Sequence, residues 1–201
     1  MKNLLVVKSS LFGEGGQSTL LVDHFVSQYS KKYAGTQVVT RDLSKDTIPH
    51  LDQTRVAALF SQPTDRTTEQ QIILDQADLL LKELSDADVV VLAVPMYNFS
   101  IPSQLKSWFD HLARAGVSFK YTETGPVGLL NDKPVYIMAA RGGVYNANGV
   151  DFQTPFVTQF LNLLGLKQLN FVYAEGLNLG EEPKAEAIKQ AMNRIDFLIT
   201  V

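Results

Sequence analysis

A doubly wound α/β sheet of five parallel strands, in the order 2-1-3-4-5 with helices on both faces, is the fold that this sequence predicts. Three observations carry the expectation. Apolar runs of strand length alternate with segments whose apolar residues recur at helical spacing. The strongest run, residues 89–94, is apolar at every position rather than at every second one, as a strand buried on both faces must be. A glycine-rich turn follows the first run and leads into the first helical pattern, as in a βα unit.

Taken in order, the first strand is Leu4-Leu5-Val6-Val7, ended by Lys8 and followed by Ser9, Ser10, Gly13, Gly15 and Gly16. A helix begins near Ser18, with Leu21, Phe25 and Tyr29 four residues apart and Val22 and Val26 beside them. The short β-branched stretch 37–40 is the second strand. Residues 69–84 place Ile73, Ala77, Leu80, Leu81 and Leu84 on one helical face. Asp88 leads into the third strand, stopped by Pro95. Leu105, Trp108, Phe109 and Leu112 mark the next helix, with Trp108 and Phe109 suited to core or interface. Residues 117–131 break the alternation; their aromatics and Gly125-Pro126 predict a hairpin or loop excursion. The fourth strand is 134–140 and ends at Arg141-Gly142-Gly143. A helix over 156–164 carries Phe156, Phe160, Leu161, Leu163 and Leu164, apolar on more than one face. Strand 169–174 and a last helix with Ile188, Ala191, Met192, Ile195, Leu198 and Ile199 complete the chain.

At 201 residues, with no linker and no repeat, the chain is expected to be one domain over 1–201. Eighteen Lys and Arg against 21 Asp and Glu give a net charge of −3, without the basic excess that binding to nucleic acid requires. No apolar run approaches the roughly 20 residues of a membrane span, and 4–7 is too short for a signal segment. Cysteine is absent, which excludes disulfides, thiolate catalysis and thiolate metal sites and fits a reducing cytoplasm. His24, His50 and His111 show no metal-binding spacing, and His111 is read as a surface or interface residue. There is no Gly-x-Ser-x-Gly elbow for a hydrolase.

Ligands of such sheets bind beyond the carboxyl ends of the strands where the strand order reverses, here between the first and third strands. Three loops are predicted to meet there. The first, Ser9 to Thr19, has glycines for close backbone approach, a helix start with unpaired amides, and hydroxyls at Ser10 and Ser18 suited to phosphate oxygens. It is neither a Walker loop nor the dinucleotide fingerprint, which would need glycine where Ser18 stands. An ordinary βα turn with Ser18 as helix cap is the plainer alternative. The second, Pro95-Met96-Tyr97-Asn98-Phe99-Ser100-Ile101-Pro102, exposes aromatics at a sheet edge and could wrap a flat heterocycle; local packing with Ser100 or Ser103 as a cap would also explain it. The third, Arg141-Gly142-Gly143-Val144-Tyr145, allows close approach, or is a turn with a solvated Arg141.

These stretches together resemble the FMN-dependent, NAD(P)H-using azoreductases and quinone reductases of the flavodoxin-like fold, nearly end to end. The matching segments are Lys8-Ser9-Ser10 with Gln17-Ser18, Arg41-Asp42-Leu43, Pro95 to Phe99 with Gln104-Leu105-Lys106, Arg114 to Val117 with Phe119, Tyr121 and Gly125-Pro126, Arg141-Gly142-Gly143, and Ala174-Glu175-Gly176. The resemblance implies that Ser10, Gly16, Gln17 and Ser18 hold the FMN phosphate. It implies that Met96, Tyr97, Asn98 and Phe99 line the isoalloxazine, and that Ala140, Arg141, Gly142 and Gly143 close on its pyrimidine edge. Two positions depart from the family pattern: Ala140 stands where relatives often have Ser, and Leu163 where they often carry an aromatic reaching a neighbouring subunit's pocket.

The same resemblance implies a reductase that takes hydride from NADH or NADPH and passes two electrons to quinones or azo compounds by ping-pong kinetics. The flavin carries the chemistry, so no catalytic acid or base is named. Tyr121, Tyr145 and Leu163 are the expected substrate-pocket residues, and a homodimer sharing its active site is the expected assembly. The competing expectation is a flavodoxin-type FMN electron carrier. Such carriers are typically strongly acidic, whereas the charge here is small. A dinucleotide-binding dehydrogenase fails at Ser18.

Overall fold

The computed structural model describes residues 2–146 and 149–200. Strand β1 (Asn3–Lys8) is followed by a 3-10 turn (Gly13–Gly15), α1 (Gln17–Lys32) and β2 (Gln37–Asp42). Two helices come next, α2 (Gln53–Phe60) and α3 (Thr68–Asp86), before β3 (Val89–Pro95) and α4 (Ser103–Leu112). The hairpin β4 (Phe119–Thr122) and β5 (Gly125–Gly128) precedes β6 (Val135–Ala140), α5 (Gln153–Leu164), β7 (Leu169–Ala174) and α6 (Glu181–Thr200).

The five long strands pair in parallel in the order β2-β1-β3-β6-β7, which is the predicted 2-1-3-4-5 once the antiparallel hairpin is set aside. All seven residues of β3 are buried. Its side chains alternate between two apolar layers. Val89, Val91 and Ala93 join Leu4, Val6, Phe25, Ala191 and Ile195 beneath α1 and α6. Val90, Leu92 and Val94 join Leu5, Val7, Leu84, Leu105 and Leu161 beneath α3, α4 and α5. Continuous apolarity in β3 is thus the sequence signature of a strand with helices on both sides.

Several expectations need correction. Helix α2 is not predicted by the apolar pattern. It carries one fully buried side chain, Ala58, and begins at Asp52, whose carboxylate accepts the Arg55 amide at 2.8 Å. Trp108 and Phe109 lie wholly in the core of this chain, so neither is left for an interface. His111 is fully buried rather than at the surface. Its Nδ1–H donates to the Ser107 carbonyl at 2.9 Å, Nε2 has no partner among the described residues, and burial pushes the imidazole below its ordinary range. Phe156 and Phe160 of α5 turn against the core, Phe160 stacking on Phe109 with centroids 4.1 Å apart.

One buried cation organises the amino end of the sheet. Lys133 Nζ donates to the carbonyls of Leu84, Ser85 and Ala87 at 2.6 to 2.9 Å, satisfying the last turn of α3. Desolvation lowers its pKa, with Asp88 and Asp86 opposing.

Candidate active site at the carboxyl edge of the sheet

The three loops singled out in the sequence meet. Ser10, Phe12, Gln17, Pro95, Met96, Tyr97, Ala140, Arg141, Gly142, Leu177 and Asn178 line one crevice of about 320 Å³ beyond the ends of β1, β3 and β6. This is the point where the chain reverses its direction of winding.

At one end of the crevice the start of α1 forms an anion cradle. Gly16, not Ser18, is the N-cap, and it offers no side-chain cap. Ser18 lies inside the first turn. Its hydroxyl is fully buried and has no hydrogen-bond partner among the described residues, an arrangement that costs stability unless a ligand supplies one. The amides of Gln17, Ser18 and Thr19 are likewise free of backbone partners, as the first turn of a helix requires. Gly16 permits the close approach: a Cβ there would fall 2.1 Å from Ser10 Oγ. Free amides, an orphaned hydroxyl and the positive end of a helix dipole suit a phosphate. Lys8, beside this loop, is held by Asp23 at 2.8 Å and Glu14 at 3.5 Å. Burial works against its charge, but those carboxylates raise its pKa overall.

The second loop is a tight turn. Tyr97 and Ser100 exchange both backbone hydrogen bonds at 3.0 Å, and the residues between them, Asn98 and Phe99, have φ of 49° and 66°. This is the turn type usually given to Asn-Gly, and holding Phe in it costs about 1–2 kcal/mol. The amides of Met96 and Tyr97 are committed, to Ala140 O and Ser100 O, so they cannot also face a ligand. The Asn98 and Phe99 amides are without partners among the described residues. Neither Ser100 nor Ser103 caps α4; its N-cap is Pro102.

The third loop departs most from expectation. Arg141 is not solvated but buried, and its guanidinium turns beneath the loop. It donates to Gln153 Oε1 at 3.2 Å, Glu175 Oε1 at 3.0 Å, Asp151 Oδ1 at 3.1 Å and Thr154 Oγ1 at 2.9 Å, over the Tyr173 ring. Glu175 also accepts the amides of Tyr145 and Asn146. Burial resists the charge on Asp151, but hydrogen bonds from Thr154 and the nearby Arg141 hold its carboxyl below the ordinary range. What Arg141 offers the crevice is therefore backbone, not charge. The amides of Gly142 and Gly143 are without partners among the described residues and suit a ligand's polar edge. Glycine at 142 leaves room for the Asn178 side chain, whose Nδ2 would lie 2.4 Å from a Cβ there and would have to shift.

Gln153 is a residue that sequence reasoning misses. It is buried, accepts from Arg141, and donates to Pro95 O at 2.9 Å and Ser100 O at 3.2 Å, joining two of the loops. Phe99 and Tyr145 meet edge to face, centroids 5.9 Å apart, across the loops. Tyr121, on the hairpin, is exposed, and Leu163 is half-buried on α5; neither lines the crevice. No group of His, Asp and Glu able to hold a metal occurs among the described residues. Nor is any helix among them long and apolar enough to cross a membrane.

Comparison with known proteins agrees with this architecture. The flavodoxin-like fold family, Flavodoxin_2, matches residues 2–198. The FMN-dependent NADH:quinone oxidoreductase of Cellvibrio japonicus is 54% identical over 187 residues, 93% of this chain and 94% of its own. That of Alcanivorax borkumensis is 49% identical, over 96% and 98%. Among solved structures, an azoreductase from Bacillus anthracis superposes with a TM-score of 0.90 at 31% identity, covering 99% of both chains. An FMN-dependent NADH-azoreductase of the same organism, in complex with FMN, gives 0.90 at 26% identity over 100% and 98%. With residues 2–198 matched by that family and its sequence 54% and 49% identical to the two oxidoreductases over nearly their whole length, the chain belongs to this flavodoxin-like fold family.

Proposed function

We propose that the protein is an FMN-dependent reductase that takes hydride from NADH or NADPH and delivers two electrons to quinones and aromatic azo compounds in two separate half-reactions. The observation that carries this reading is the buried Ser18 hydroxyl, without a partner among the described residues, beside the free amides of α1 at the end of the crevice that the three loops line. The names of the relatives, which specify FMN, NADH, quinone and azoreductase, support it.

Ser18, Ser10 and the Gln17 amide would hold the FMN phosphate at the helix start. Met96 and Tyr97, which line the crevice, would flank the ring, with the free amides of Asn98 and Phe99 at the tip of the same loop, and Gly142 and Gly143 would stabilise negative charge at its pyrimidine edge. Bound there, FMN supplies an atom that accepts hydride from the nicotinamide and returns it to the acceptor. For a quinone the balance is NADH, one proton and quinone giving NAD⁺ and hydroquinone. No buried acid among the residues lining the crevice is placed to supply that proton, so it enters from solvent. Because one open face serves both substrates, NAD⁺ leaves before the acceptor binds.

A homodimer completes this reading. Tyr121 on the hairpin and Leu163 on α5 lie outside the crevice of their own chain and are available to a partner's. A cytoplasmic location accords with the lack of cysteine.

The test is anaerobic reduction of the FMN-loaded protein by NADH, followed by reoxidation with a quinone. One equivalent of each is expected, with parallel double-reciprocal lines in the steady state. Failure of NADH to bleach the flavin overturns the reductase reading, and intersecting lines overturn the two-step order.

A further inference from the structure

A second cavity, of about 490 Å³, is lined by Tyr97, Asn98 and Ser100 of the tight turn and shares Tyr97 with the crevice. Leu11, Ile101, Pro102 and Phe156 give it apolar walls. His50, Asn98, Ser100, Ser103 and Lys106 supply its polar groups. No carboxylate lines it among the described residues, although acids outnumber bases in the chain.

Its donors are fixed by neighbours. Ser107 is fully buried, and its hydroxyl meets His50 Nδ1 at 2.8 Å. The Ser107 proton is satisfied when it is donated to Nδ1, which leaves the imidazole proton on Nε2 as a donor. Lys106 Nζ is tethered by Asp110 at 2.5 Å, one turn further along α4, and its ammonium retains donors for the cavity. Apolar walls with ammonium and N–H donors, and with the one nearby carboxylate, Asp110, outside the lining, suit an anion attached to an aromatic body.

We infer that this cavity receives the adenosine diphosphate half of the nicotinamide donor. The inference rests on the reductase reading. A ligand reaching past Tyr97 into both spaces needs a reactive ring at one end and an anionic, aromatic tail at the other. Among the reactants proposed above, the dinucleotide has that two-ended form. A volume near 490 Å³ also exceeds what the lone sulfonate of an azo dye would fill.

The FMN-loaded protein tests this with two donors, NADH and reduced nicotinamide mononucleotide, which lacks the adenylate half. Lys106→Ala and His50→Ala are expected each to cut the ratio of kcat/KM for NADH over that for the mononucleotide by roughly tenfold, about the loss of one charge-assisted hydrogen bond. ADP should compete with NADH in the wild type and compete more weakly in the variants. An unchanged ratio overturns the inference, as does an effect confined to sulfonated acceptors. Should neither donor reduce the flavin, the reductase reading falls. Calorimetric titration of ADP into the FMN-loaded wild type and variants then still decides the cavity's role, with absent or variant-insensitive binding overturning it.

Discussion

The phenol oxygen of Tyr97 lies 3.3 Å from Ser10 Oγ and accepts the Leu11 amide at 3.2 Å, so one side chain of the second loop holds the first. Phe12 packs edge-on against the same ring, centroids 6.3 Å apart. The distance between the anion cradle and the wall of the crevice is thereby set by a residue that belongs to neither helix nor strand.

Replacing that hydroxyl should separate the two loops without unfolding the protein. In Tyr97→Phe the Leu11 amide loses its acceptor, at a cost of about 1 kcal/mol. Urea denaturation should report a loss of that size, and fluorescence titration a several-fold weaker FMN affinity. Unchanged affinity would show that the link does not shape the site.

Ser18→Ala separates stability from binding. The variant removes a buried hydroxyl that has no partner among the described residues, so the melting temperature of the flavin-free form should hold or rise. FMN affinity should fall about ten- to a hundredfold, the worth of a hydrogen bond to a charged phosphate. A drop in stability with affinity retained would place the phosphate elsewhere.

Phe99→Gly relieves the positive φ at the tip of the turn. Even after the added freedom of the unfolded chain, stability should rise by about 0.5 kcal/mol. Loss of the Phe99–Tyr145 contact should lower kcat/KM for a quinone about three- to tenfold. A variant both less stable and fully active would contradict this trade.

The pH dependence of stability should carry a His111 component. Burial lowers its pKa from 6.5, so the native state keeps the neutral ring where the unfolded chain takes up a proton. Stability contributed by the neutral form is present above pH 6.5 and is lost as pH falls below it. Unfolding free energies of wild type and His111→Gln, measured between pH 7.5 and about 5, should show a shallower slope in the variant. Identical slopes would mean that the ring titrates alike in both states.

Much of the fold is legible in the residues alone. Every strand of the main sheet can be read: β1, β3 and β6 because central strands buried on both faces are apolar nearly throughout, the edge strands β2 and β7 from short β-branched or apolar stretches between helical patterns. The three loops stand out because glycines and exposed aromatics are out of place in ordinary turns. Helix α2 escapes because a helix that buries only Ala58 has almost no apolar stripe; Asp52 as a cap is its one signal. His111 reads as a surface residue, yet it lies three residues beyond Trp108 on the same helix, within the buried face. The inward turn of Arg141 and the role of Gln153 cannot be read, since their partners Asp151, Glu175 and Pro95 come together only in the folded chain.

That network bears on how the site can change over generations. Through Gln153 and Arg141, the Pro95–Ser100 loop, the start of α5 and the end of β7 share one set of buried hydrogen bonds. A single substitution within the set strands a buried charge or carbonyl, whereas the exposed Phe99, at the tip of the second loop, takes no part in it. Lineages, and libraries built in the laboratory, should therefore vary freely at such exposed loop positions while the cluster beneath is inherited as a block, exchanged whole or left alone.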